Sequence, residues 1–130
     1  MNKRSLKVII IQGDDSERLA IKRTIGLCFD YLPNISECAS LEEAEWLLEK
    51  KGGEPRTFDL IVLDCAMRPS SRPFGLWLQQ MKTRFGEKLL VYCHAPLDEF
   101  DRYTLRTKKV PFLERQDLTP DIFRARIEAL

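Results

Sequence analysis

The segment Phe58-Asp59-Leu60-Ile61-Val62-Leu63-Asp64-Cys65-Ala66-Met67 constrains the fold more than any other stretch of the chain. It is a short apolar, β-branched run that ends on a carboxylate. A continuous apolar run between polar residues suits a strand buried on both faces, as in a parallel sheet. The C-terminal edge of such a strand is where open α/β sheets bind ligands and place chemistry. Asp64 is therefore a candidate nucleophile or metal ligand, or else the cap of the following turn. The segment alone does not separate these two roles.

Strand-like and helix-like segments alternate along the rest of the chain. Leu6 to Ile11 reads as a first strand. Ser16 to Phe29 reads as a helix with Ile21, Ile25 and Cys28 on one face, capped by Asp14, Asp15 or Ser16. Pro33-Asn34 breaks the chain before a short, polar second strand at Ile35 to Ala39, expected near a sheet edge. Ser40-Leu41-Glu42-Glu43 has the spacing of a capping box and opens a second helix to about Lys50, which Gly52-Gly53-Glu54-Pro55 ends. After the central strand, Met67 to Phe74 is a loop rich in Pro, Ser and Arg. Gly75 to Phe85 reads as a third helix with Leu76, Leu78 and Met81 apolar; Trp77 lies partly off that set and is expected to be exposed at an interface. Leu89 to Cys93 is a fourth strand, Leu97 to Thr107 a charged helix, and Val110 to Leu113 a fifth strand. Thr119-Pro120 caps a last helix. Strands alternating with helices predict one domain over residues 1–130, a doubly wound five-stranded parallel sheet with helices on both faces.

Composition narrows the function classes. Lys+Arg 21 against Asp+Glu 20 leaves a formal net charge of +1, without the basic excess of a nucleic-acid or membrane-surface protein. No apolar stretch approaches the ~20 residues that span a bilayer. The apolar run Val8 to Ile11 is too short for a signal-peptide core, so a cytoplasmic protein is expected. Cys28, Cys38, Cys65 and Cys93 form no CxxC pair, and only His94 could join them as a soft metal ligand. A zinc site is not expected, and buried reduced thiols are.

Over essentially its whole length the pattern resembles the receiver domain of two-component response regulators. The resemblance is carried by Lys7-Val8-Ile9-Ile10-Ile11 leading into acids, Ser40-Leu41-Glu42-Glu43-Ala44, Asp59-Leu60-Ile61-Val62-Leu63-Asp64 and Met67, Phe74-Gly75-Leu76 and Pro111-Phe112-Leu113. It implies the flavodoxin-like strand order 2-1-3-4-5. It implies that Asp64 accepts a phosphoryl group from a histidine kinase or phosphotransfer protein. It further implies Mg²⁺ held by Asp14, Asp15, Asp64 and the backbone carbonyl of Ala66, because phosphoryl transfer needs positioning and charge cancellation. Cys93 falls where the family has Thr or Ser and Arg115 where it has Lys, both as phosphoryl contacts, and Phe112 falls at the switch aromatic. Each is a departure: a thiol donates weakly, a guanidinium is a planar fork rather than a point donor, and Phe112 has no hydroxyl.

Two registers stand open after the first strand. An ungapped alignment keeps Ile21, Ile25 and Cys28 on the buried helix face and puts Gln12 and Gly13 in the two metal positions. Sliding Asp14-Asp15 into those positions brings Lys22 or Arg23 onto the buried face, at a cost on the order of several kcal/mol for an unpaired charge; a one-residue bulge at Gly13 would reconcile both. Arg68 and Arg72 in the longer loop after Asp64 could bind an anion or belong to a solvated loop.

Three functions follow. The first is a non-enzymatic receiver that takes a phosphoryl group on Asp64 with weakened Mg²⁺ chemistry. The second is a phosphorylation-independent interaction module, and the third a small Asp64-dependent phosphohydrolase, although Ala66 stands where a phosphatase would carry its second acid. Cys93-His94 is not expected to act as a nucleophile–base pair, since adjacent strand residues point to opposite faces. Gln12-Gly13-Asp14-Asp15-Ser16 is too acidic for a flavin phosphate loop. The resemblance implies a downstream protein or output domain as partner, in a stand-alone receiver or a piece of a longer regulator. It also implies a second copy docking through the fourth helix and fifth strand, with Phe100, Tyr103 and Arg106 as contacts or else as a solvated face. Neither membrane nor direct nucleic-acid contact is expected.

Overall fold

Period-two alternation along the strands sorts the apolar residues into two layers. The computed structural model describes residues 6–29, 33–50 and 58–129. Strands β1 (Lys7–Ile11), β2 (Asn34–Cys38), β3 (Leu60–Asp64), β4 (Leu89–Cys93) and β5 (Phe112–Glu114) form one parallel sheet in the order β2-β1-β3-β4-β5. That is the expected flavodoxin-like order. Ile9, Ile11, Ile61, Leu63, Val91 and Cys93 face one layer, covered by α2 (Leu41–Lys50), α3 (Phe74–Phe85) and α4 (Glu99–Thr107). Val8, Ile10, Leu60, Val62, Leu90 and Tyr92 face the other, covered by α1 (Asp15–Cys28) and α5 (Pro120–Glu128). The central strands are buried on both faces, as their unbroken apolar runs require. Polar β2 lies at an edge.

Local chemistry explains most element ends. Asp14 caps α1, its Oδ1 accepting from the N–H groups of Ser16 (2.9 Å) and Glu17 (3.0 Å). Ile21, Thr24, Ile25 and Cys28 make the buried face of α1, while Lys22 points out to pair with Glu37 at 3.2 Å. Ser40 accepts from Glu43 N–H (3.1 Å), and the Glu43 carboxylate reaches back one residue further than a standard box, to Ala39 N–H (2.8 Å). The expected terminator of α2, Gly52-Gly53-Glu54-Pro55, lies outside the described residues. Helix α4 starts two residues later than expected because Asp98 caps it. Strand β5 also starts later than Val110. Lys109 takes a left-handed φ of 57° and Val110 N–H bonds back to Leu105 O (3.0 Å), so both residues close α4 instead.

One expectation is corrected in α3. Trp77 is 0% exposed and packs in the core with Leu78, Met81 and Phe85, whereas Leu76 is exposed. Residues 77, 81 and 85 recur at helical spacing, so the seam runs through the tryptophan rather than beside it. Trp46 on α2 is exposed.

Candidate functional site

Strand order reverses between β1 and β3, and the crevice beyond their C-terminal ends is where an α/β sheet of this winding can place a site. Asp64 closes β3 there and is 1% exposed. Three donors converge on its carboxylate. Ala66 N–H donates to Oδ1 at 2.6 Å, the amide Nε2 of Gln12 donates to Oδ2, and His94 Nδ1 lies 3.1 Å from Oδ2 and 3.3 Å from Oδ1. With Asp64 ionised, Nδ1 of His94 carries the proton, since a carboxylate only accepts. Burial pushes the Asp64 carboxyl above the usual range, opposed by the Ala66 amide, His94 and Gln12.

Gln12 is fixed from all sides. Its Oε1 accepts from Asp14 N–H at 2.9 Å, which leaves the Nε2 end to face Asp64. Its backbone N–H bonds Cys38 O at 2.9 Å and its carbonyl accepts from Arg18 Nη1 at 2.7 Å. A Cβ on Gly13 would sit 3.3 Å from Ala39 O and 3.4 Å from Met67 Cε, so the turn is packed tightly against its neighbours. Of the two registers open in the sequence, the structure shows the ungapped one, with Gln12 beside Asp64.

The acids expected as metal ligands serve α1 instead. Asp14 accepts the Ser16 hydroxyl at 2.6 Å besides the two cap amides, and these bonds, the hydroxyl first, hold its carboxyl below the usual range. Asp15 pairs with Arg18. Mg²⁺ asks for hard oxygen ligands in a near-octahedral array. The groups around Asp64 are an amide N–H, a ring nitrogen and a side-chain amide nitrogen, and among the described residues no group of three or more His, Cys, Asp or Glu is placed to hold a metal. The donor set does not fit magnesium.

Arg115 donates from Nη1 to Glu17 Oε1 at 3.1 Å. Glu17 is buried and also accepts from the Tyr92 hydroxyl at 3.3 Å. Burial, and then the Glu17 charge, push the Tyr92 phenol up to about 12. Phe112 is half-buried on β5 and packs on the α2–α3–α4 layer. Cys93 is joined to Cys65 in a disulfide, Cα–Cα 5.3 Å, which corrects the expectation of four reduced thiols; Cys28 and Cys38 are free and buried. His94, read from the sequence as a rim residue, is the side chain that meets Asp64. The signal for it was parity: Asp64 pairs with Tyr92 across the sheet, so residue 94 shares a face with Asp64 while Cys93 shares the other face with Cys65.

Asp64 and His94 border a cleft of about 300 Å³ whose walls also include Arg68, Phe74 and Leu97. Arg68 donates to Arg72 O at 2.6 Å and lies 6.0 Å from the Phe74 ring centroid, so its guanidinium is engaged within its own loop. Glu114 ties α4 to β5 through a two-point pair with Arg102, Nη2–Oε1 2.8 Å and Nε–Oε2 3.2 Å. That leaves Phe100 and Tyr103 on the outer face of α4, 74% and 65% exposed.

No family model matches the sequence, and no curated protein does. Solved structures do. The chain is similar to an orphan response regulator of H. pylori (17% identity, TM-score 0.64, 98% of each chain covered). It is similar to the signal receiver domain of a DNA-binding response regulator from Colwellia psychrerythraea (14% identity, TM-score 0.70, 96% of this chain and 97% of that one). A third is an atypical orphan response regulator described by a phosphorylation-independent regulatory mechanism (16% identity, TM-score 0.61, 95% and 93%). The fold is that of response-regulator receiver domains.

Proposed function

We propose that this chain is a receiver-like signalling domain that acts without phosphorylation, as a protein-interaction module. One observation carries the reading: the Asp64 carboxylate is engaged by three donors from its own chain, with Gln12 standing beside it where the resemblance asks for a metal-binding acid. A phosphoryl group arriving there would have to displace His94 and Gln12 without a cation to offset its charge. Arg115, the remaining cation of the resemblance, is held by Glu17. The likeness to a regulator described as phosphorylation-independent supports the same reading. The partner surface we assign is the outer face of α4, where Phe100, Tyr103 and Arg106 are exposed on a helix anchored by the Arg102–Glu114 pair.

The test is intact mass after incubation with Mg²⁺ and a small phosphoramidate donor, run beside Asp64→Asn, with tryptophan fluorescence followed during Mg²⁺ titration. The expected outcome is no adduct on either protein and no fluorescence change. An added mass of about 80 Da on the parent and none on the variant would overturn the proposal and make Asp64 a phosphoacceptor.

A further inference from the structure

The bridge between Cys65 and Cys93 joins two of the three segments that supply donors to Asp64, those of Ala66 and His94. Cys65 lies between Asp64 and Ala66 at the start of the turn after β3, and Cys93 ends β4 immediately before His94. The Cα–Cα separation of 5.3 Å is within the ordinary span of a disulfide. Both cysteines line the cleft; Cys93 is buried and Cys65 is half-exposed, so an incoming thiolate meets the Cys65 sulfur first. Cys28 and Cys38 are buried elsewhere, in opposite layers of the core, and offer no competing partner.

We propose that Cys65 and Cys93 are a reversible thiol–disulfide site that exchanges with low-molecular-weight thiols and disulfides, and that its state sets how firmly His94 and the Ala66 amide are held on Asp64. In the oxidising direction the Cys65 thiolate attacks one sulfur of a small disulfide RSSR, forming a mixed disulfide and releasing RS⁻. The Cys93 thiolate then attacks the Cys65 sulfur, closing the bridge and releasing a second RS⁻. The two cysteine protons end on the two released thiolates. Two cysteine thiols are thus oxidised and one RSSR is reduced to two RSH. With the bridge closed, β4 and the turn after β3 are covalently tied and both donors stay in place. With it open, the covalent tie between the turn and β4 is gone and His94 is free to leave the carboxylate. This inference stands apart from the phosphorylation-independent reading, because it concerns the thiols and a readout on His94 that needs no phosphodonor.

The test uses the full chain equilibrated in glutathione buffers across a range of reduced-to-oxidised ratios, acid-quenched, unfolded and alkylated with N-ethylmaleimide. Four adducts are expected in reducing buffer and two in oxidising buffer, with Cys65 and Cys93 as the protected pair in peptide maps. His94 is the single histidine, so its imaging by imidazole ¹⁵N NMR is unambiguous. Its resonances are expected to move between the two states, and to stay at the reduced position in every buffer for Cys65→Ser and for Cys93→Ser. Four adducts at every ratio, two at every ratio, or His94 resonances that ignore the bridge in the parent protein would each overturn the proposal.

Discussion

Asp64 is a carboxylate that the fold buries and then supplies with donors, and the two effects oppose each other. Burial is the larger, so its carboxyl titrates above the unfolded value. A group whose pKa is raised on folding contributes stability below its unfolded pKa and loses it as pH rises through the folded one. The loss therefore begins near the unfolded Asp value of about 4 and is complete once pH passes the raised folded value. Asp64→Asn removes the titration, and an Asn amide oxygen can still accept from Gln12 Nε2. The variant is expected to be more stable than the parent at neutral pH, with the advantage shrinking as pH falls towards about 4. Thermal unfolding of both proteins across that range checks this, and an advantage that does not change with pH would count against it.

At the scale of elements, the caps set the boundaries and the packing seams set the faces. Ser40 is the plainest case, because its hydroxyl satisfies an otherwise open N–H of α2 and touches nothing of the site. Ser40→Ala is expected to cost about 1 kcal/mol in denaturant unfolding, with the midpoint lowered and the slope unchanged. The capping box, the Thr119-Pro120 start and the acid-rich opening of α1 were all legible in the sequence, since each is written in residues next to one another. The start of β5 was not. Val110 is apolar enough for a strand, but Lys109 in the left-handed region turns the chain there and spends the Val110 N–H on the end of α4.

For the whole molecule, the two apolar layers either side of the sheet carry the stability, and Trp77 is the largest side chain sealed within them. No acceptor among the described residues reaches its indole Nε1. Trp77→Ala is expected to cost roughly 3–5 kcal/mol by opening a cavity. Trp77→Phe keeps most of the ring and removes a buried unpaired N–H worth about 1–3 kcal/mol, so its cost is expected to be far smaller. Equal losses for the two variants in denaturant unfolding would show that the indole N–H is satisfied. The layer architecture, the strand order through the family resemblance, and Asp64 at the end of the central strand were all legible from the residues alone. Those follow from periodicity and from apolar runs, which act over a few residues. Which side chains meet Asp64 depends on how the strands come together in three dimensions. Gln12, His94 and the Cys65–Cys93 bridge come from three strand ends, and their meeting depends on the register between β1, β3 and β4. A shift of one residue in that register would turn His94 away from the carboxylate, because strand side chains alternate between faces.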